Sequence, residues 1–232
     1  MNKLNTETQL PQTIVTSSPF RVLNLYACLG GNRLLWEDCE VTAVELDPEL
    51  ARMYQERFPN DKVIVEDAHE FLLKNYMNYD FIWTSPPCPS HSRARNYNLT
   101  YDAIYPDMKL YEEIIHLETR FKGKFVVENV IPYYDPLIPA IKRGRHLYWT
   151  NFNLPNDLKH RKTPVFGNTK NELQLLCEFH KIDLSSYKGN QSKVKVARNL
   201  VDYEAGKTIF NTARGIIENS NINQVSMFDA VL

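Results

Sequence analysis

The sequence predicts an α/β protein built on one mainly parallel sheet with helices on both faces. Three observations predict it. Short apolar and β-branched runs, Arg21–Tyr26, Val41–Asp47, Val63–Val65 and Asp80–Thr84, alternate with stretches of helical period. A glycine pair, Gly30-Gly31, follows the first run, where backbone without side chains can approach a ligand closely. Carboxylates close the second and third runs at Glu45 and Asp67, where nucleotide-binding α/β units accept hydrogen bonds from a ligand. The 232 residues, 43% hydrophobic and 12% aromatic, can build one core and a small appendage.

Residues 1–18 are polar and aperiodic and predict a loose arm. The span 19–152 carries the alternating elements. Arg21–Tyr26 is the first strand, and Glu45, ending the second, is the candidate acceptor for ribose hydroxyls. Pro48–Phe58 is an amphipathic helix with Leu50, Met53, Tyr54 and Phe58 on one face, and Asp47 and Glu49 suit its N-terminus. Asp67 is either a second ligand-facing carboxylate or the cap of a helix over His69–Tyr76.

Asp80–Thr84 has the length of a buried strand and is broken by Ser85-Pro86-Pro87-Cys88-Pro89. Three prolines fix the backbone around one thiol. Cys88 is therefore a candidate nucleophile, or else a small buried cysteine in a proline-rich turn. Pro89–Arg95 is polar and basic, and Asn96–Pro106 has no period, which predicts a loop able to close over a substrate; His91 reads as one of its solvated residues. Met108–Phe121 has Leu110, Ile114, Leu117 and Phe121 at helical spacing, and its acidic residues ask for no functional explanation.

Lys124–Glu128 returns as a strand, and a carboxylate directly after a buried run is costly without a partner. Arg143-Gly144-Arg145 then precedes an aromatic strand ending near Phe152. The span 153–195 is polar with one helix expected over Asn171–Phe179, and 196–219 holds a helix over Asp202–Asn219 with Ala205, Ile209, Ala213 and Ile216 facing inward. Residues 220–232 form a polar tail.

The Pro-Cys, Glu-Asn-Val and Arg-x-Arg elements, in this order after Tyr26–Gly31, resemble the DNA cytosine-5 methyltransferase family from about Phe20 to Ile209. The resemblance implies an S-adenosylmethionine-dependent methyltransferase with a Rossmann-like sheet, acting on double-stranded DNA. It implies Cys88 as nucleophile, Glu128 as the group that bonds cytosine N3 and N4, Arg145 at cytosine O2 or a phosphate, and Arg143 as support. The implied cofactor residues are Tyr26, Ala27, Cys28, Leu29, Gly30 and Gly31, then Glu45, Leu46, Asp67, Ala68, Pro86 and Asn199. Ser92, Arg93 and Arg95 would contact DNA. Cys28 stands where the family has its first glycine, Tyr26 where it has phenylalanine, Ile141 for a glutamine and Arg198 for a glycine. No ninth motif is recognisable, and the interval for a target-recognition domain is short, so a reduced lobe and a lax target sequence are expected.

Gln224-Val225-Ser226-Met227-Phe228 looks like the short peptide that docks on the bacterial sliding clamp, or else a terminal strand on the protein's own core. Together with the short chain it suggests a phage or mobile-element origin, with host defence and self-protection both open as the role. A net charge of −1 argues against nonspecific coating of nucleic acid and leaves room for a local basic face, at Lys142–His146, at Lys159–Lys162 or around Lys193, Lys195 and Arg198, each of which could equally be a solvated charged surface. No stretch is apolar enough to span a membrane and the four cysteines lack a framework spacing, so a cytoplasmic monomer with reduced thiols is expected. Cys177 and His180 form at most half a zinc site, and no metal is expected.

The rival chemistries are cytosine-N4 transfer, which Thr84-Ser85-Pro86-Pro87 resembles but for its missing aromatic residue, and an RNA cytosine substrate. A non-catalytic or partner-dependent DNA-binding module is the remaining alternative, motivated by Cys28, Arg198 and the short recognition interval.

Overall fold

The computed structural model describes residues 18–93, 102–159, 161 and 171–216. The arm up to residue 17, Arg95 and the peptide Gln224–Phe228 lie outside the described residues. Among the described residues seven strands form one sheet: β1 Phe20–Leu25, β2 Cys39–Val44, β3 Lys62–Ile64, β4 Phe81–Thr84, β5 Lys124–Val130, β6 Ile141–Arg143 and β7 His146–Thr150. Their order is β3-β2-β1-β4-β5-β7-β6. The first five run parallel, while β7 pairs antiparallel with β5 and β6 antiparallel with β7. The chain winds outward from β1 to β3, then crosses back to β4. That reversal opens a crevice at the carboxyl ends of β1 and β4.

Strand alternation sends side chains to two layers. Leu23, Leu25, Ile82 and Val127 face one way and pack against helices α2 (Ala68–Asn75) and α3 (Lys109–Arg120) through Phe71, Leu72, Leu110, Ile114 and Leu117. Val22, Val41, Phe81, Trp83 and Val126 face the other way, under Trp36 and the Ile209 and Phe210 of the last helix. Each fully buried side chain of this size contributes about 1.5–3 kcal/mol.

Helix α1 (Pro48–Arg57) starts where Asp47 accepts from the Glu49 and Leu50 amides, with proline in its first turn. Its Leu50 and Met53 join Leu176, Leu184, Val196 and Leu200 in a smaller core that includes α4 (Glu172–His180) and α5 (Lys193–Arg198). Arg161, one of the residues considered for a local basic face, has a different place. It lies 3.8 and 3.7 Å from the rings of Phe179 and Tyr203 and pairs with Asp202 at 2.9 Å, pinning this lobe to the last helix.

That helix, α6 (Tyr203–Ala213), is shorter than the expected 202–219. Gly215 takes φ +71°, its amide donates to Thr212 O and the Ile216 amide to Asn211 O, a capping arrangement that stops the helix. Ile216, expected to face inward, is consequently 43% exposed. Gly206 lets α6 lie directly on the Asn32 backbone, where an added β-carbon would approach Asn32 Cα to 2.8 Å. Gly206→Ala is expected to cost about 1–3 kcal/mol by overpacking, read as a lower urea midpoint at unchanged slope. Among the described residues no helix is long and apolar enough to cross a membrane.

Candidate active site

A cavity of about 1320 Å³ opens at the carboxyl ends of the central strands. Tyr26, Glu45, Leu46, Asp67 and Ala68 line it beyond β1, β2 and β3; Pro86, Cys88, Ser92, Glu128 and Arg145 line it beyond β4, β5 and the β6–β7 turn. Lys195 and Asn199 enter its wall from α5.

The proline-rich turn is held by its neighbour strand. Asn129 Nδ2 donates to Pro86 O at 2.9 Å, and the Asn129 side-chain oxygen accepts from the Val130 amide. The Glu-Asn-Val segment thus latches the turn that carries the thiol. The Cys88 carbonyl accepts from the His91 and Ser92 amides, both at 3.0 Å, closing the turn behind the sulfur. Ser92 bridges to Pro132, and Arg93 Nε donates to Pro132 O at 3.0 Å. His91, expected to be solvated, is 1% exposed with Nδ1 2.6 Å from Tyr134 Oη, because the turn folds back over the segment leaving β5.

Burial pushes the Cys88 thiol above its ordinary pKa and Glu128 adds to this, while Lys195 and Arg145 pull the other way. The resting group is a thiol. Alkylation of Cys88 in the unliganded protein should keep accelerating as pH rises past about 8.5, the ordinary cysteine value. Peptide-resolved mass spectrometry after iodoacetamide checks this, and a rate that plateaus near neutrality contradicts it.

Glu128 sits in β5 opposite Tyr148 of β7, 6% exposed, with His146 Nε2 3.6 Å from its carboxylate. Burial lowers the His146 pKa and Glu128 opposes that, which leaves the imidazole disposed to neutrality. Burial likewise lowers the Arg145 pKa against the opposing pull of Glu128. His146 was not singled out from the sequence; its adjacency to Arg145 at the head of a strand was the available signal. Arg143, expected to support the site, does not line the cavity. The hairpin turns at Gly144, φ +58°, and Arg143 instead donates to Pro155 O at 2.7 Å and Leu154 O at 3.3 Å. It braces the chain leaving β7.

At the other end, Glu45 accepts from the Cys28 amide at 2.8 Å and the Asp47 amide at 2.9 Å, and burial raises its pKa. These bonds hold a tight βα turn in which Tyr26 and Cys28 have φ of +55° and +47°. That geometry explains why a glycine suits position 28: a side chain there is in the left-handed region. Burial, reinforced by Glu45, pushes the Cys28 thiol up to about 12, so it is inert at neutral pH.

Gly30 and Gly31 do not line the large cavity, although Gly31 lines a small adjoining one together with Tyr26, Cys28 and Asn199. A β-carbon on Gly30 would meet Phe58 Cε2 at 2.5 Å, and one on Gly31 would meet Val201 O at 2.5 Å, so both serve packing within the chain. Ala27 and Leu29 are buried in the core beside them. Of the six first-motif residues, Tyr26 and Cys28 are the ones lining the large cavity. Asp67 does cap α2, accepting from the His69 and Glu70 amides, and faces Lys109 at 3.7 Å. Burial favours its neutral form, but the Glu70 amide, Lys109 and His69 outweigh it and keep the carboxylate ionised.

Residues 20–132 match the family model described as C-5 cytosine-specific DNA methylase. Among solved structures, a mutant of DNMT2 from Spodoptera frugiperda aligns at 24% identity and TM-score 0.35, covering 48% of this chain and 35% of that one. A protein assigned as a DNA modification methyltransferase of an E. coli prophage aligns at 22% identity and TM-score 0.35, covering 50% of this chain and 34% of that one. A SAM-dependent methyltransferase from Agrobacterium tumefaciens aligns at 20% identity and TM-score 0.37, covering 52% and 41%. The chain thus spans about a third of the length of the first two. No curated protein gives a significant match. The strand order is that of a Rossmann-like α/β sheet, and residues 20–132 of the chain are similar to the C-5 cytosine-specific DNA methylases.

Proposed function

We propose that this protein transfers a methyl group to C5 of a cytosine flipped out of duplex DNA. The observation that carries the reading is that Cys88, Glu128 and Arg145 share one cavity with Glu45, Leu46 and Asp67, so a base and a methyl donor have room to meet.

The residues beyond β1–β3 fit S-adenosylmethionine. Each Glu45 oxygen accepts one backbone amide and keeps a second lone pair for a ribose hydroxyl. Asp67 is an ionised acceptor for an adenine amino group, Tyr26 offers a ring, and Leu46, 65% exposed, offers apolar surface. When bound there, S-adenosylmethionine supplies an electrophilic methyl group for C5.

Cytosine C5 is a weak nucleophile on its own. The Cys88 thiolate adds to C6 while Glu128 gives a proton to, or shares one with, N3, which turns the ring into an enamine with electron density at C5. Arg145 faces the carbonyl oxygen or a flanking phosphate. Loss of the C5 proton then expels Cys88. Because the thiol starts protonated, substrate entry has to favour its ionisation, and Lys195 and Arg145 supply the positive field that does so. C6 is inaccessible in stacked duplex, so the base leaves the helix to reach Cys88.

The test is a duplex carrying 5-fluorocytosine, whose C5 fluorine blocks the release step. Incubation with S-adenosylmethionine should give a denaturation-resistant protein–DNA adduct whose cross-linked peptide contains Cys88. An RNA oligonucleotide of matching sequence run in parallel reads the substrate class. Absence of an adduct on the DNA, or an adduct confined to RNA, overturns the proposal.

A further inference from the structure

Glu113 is 1% exposed, in the middle of α3. Such a carboxylate is stable only with donors around it. Three side chains from three other elements supply them. The Tyr26 hydroxyl donates at 2.5 Å, the Thr84 hydroxyl donates at 2.6 Å, and His69 Nδ1 lies 3.1 Å away. Tyr26 follows β1, Thr84 ends β4 immediately before the turn that carries Cys88, and His69 stands in the first turn of α2 next to Ala68. None of these four side chains has a role in the chemistry above except Tyr26, which is one of the residues lining the cavity.

The Tyr26 backbone sits at φ +55°, a conformation that surrounding contacts must enforce. Burial and the Glu113 charge both push the phenol above its ordinary pKa, so the hydroxyl keeps the proton it donates. A phenol-to-carboxylate hydrogen bond shielded from water is among the stronger side-chain contacts. A phenylalanine at this position would have no such tether.

We propose that Glu113 is a positioning residue for the cofactor end of the cavity, holding the Tyr26 ring in place through its hydroxyl and tying that ring to the β4 end. This rests on the reading of that end as the S-adenosylmethionine site. The tether preorganises the ring, so its loss is felt in ligand affinity while the thiol and Glu128 remain in place.

The experiment is calorimetric titration of S-adenosylhomocysteine into the wild-type chain, Tyr26→Phe, Glu113→Gln and the double variant, with methyl transfer at saturating cofactor measured alongside. Tyr26→Phe is expected to raise Kd by about three- to tenfold, and Glu113→Gln by about tenfold or more. The double variant should bind no more weakly than Glu113→Gln alone, because both changes cut one connection. Turnover at saturating cofactor should fall by a smaller factor than affinity does in Tyr26→Phe, the split expected when a ligand-contacting ring loses its positioning. Unchanged Kd in Tyr26→Phe, or effects that multiply in the double variant, overturn the proposal. Tyr26→Phe removes one oxygen and keeps the ring, so it decides the matter even if Glu113→Gln does not fold. A wild-type chain with no affinity for S-adenosylhomocysteine instead sinks the cofactor reading on which the proposal stands.

Discussion

Cys88→Ala is expected to lower methyl incorporation into DNA by a factor on the order of 10³–10⁶, since no other route makes cytosine C5 nucleophilic. The sulfur is half-buried at the end of β4, on a turn fixed by three prolines and latched by Asn129. Alanine removes the sulfur and leaves that backbone intact. S-adenosylhomocysteine affinity should therefore stay within about twofold of wild type, because the cofactor end lies beyond different strands. The assay is tritium transfer from S-adenosylmethionine to duplex DNA under single-turnover conditions. Retention of a rate within tenfold of wild type would remove Cys88 from the chemistry, and loss of both rate and cofactor affinity would mean that the variant is misfolded.

The second large effect is expected at Glu128. Glutamine keeps the shape of the side chain and can still donate and accept, but it cannot deliver a proton to N3. A fall of about 10²–10⁴ in turnover is the range for a lost acid–base group. The cofactor KM should be unaffected. Glu128 also adds to the upward shift of the Cys88 thiol, so the variant should ionise Cys88 more readily even as it turns over more slowly. That opposition separates proton delivery from thiol activation. Faster alkylation of Cys88 with slower methyl transfer is the expected pair. A turnover reduced less than about threefold would contradict the assignment.

The sheet was legible because strand and helix periods differ and because each strand ends in an unmistakable breaker, as the proline turn after Thr84 shows. Strands β1 to β5 and the three helices before β5 lie within a few residues of where period and breakers put them, whereas β6 and α5 are too short to carry a period of their own and α6 ends early. There the apolar spacing continues past Ala213, but Gly215 stops the helix, and a glycine cap outweighs one more apolar residue.

The cavity wall was legible where a residue type is costly in its setting. A carboxylate after a buried strand, Glu128, and a thiol among prolines, Cys88, each ask for an explanation that local structure does not provide. The glycine pair was legible only in part, for a physical reason. A glycine says that a β-carbon is excluded, and not by what; at Gly31 the excluding atom is Val201 O, 170 residues along the chain, rather than a ligand. Arg143 and Arg145 are the same residue type one turn apart, and only the path of the hairpin decides which of them reaches the cavity.

Glu113 was illegible altogether. On a helix surrounded by other charges it reads as part of a solvated face, and its partners Tyr26, His69 and Thr84 are 87, 44 and 29 residues distant. Tertiary folding alone makes that carboxylate a hub.

The most direct measurement of the central claim is the identity of the methylated nucleoside. Purified protein incubated with unmethylated duplex DNA and tritiated S-adenosylmethionine, followed by digestion to nucleosides and chromatography, should place the label in 5-methylcytosine. Label in N4-methylcytosine, or DNA left unlabelled by protein that binds S-adenosylhomocysteine, would contradict it.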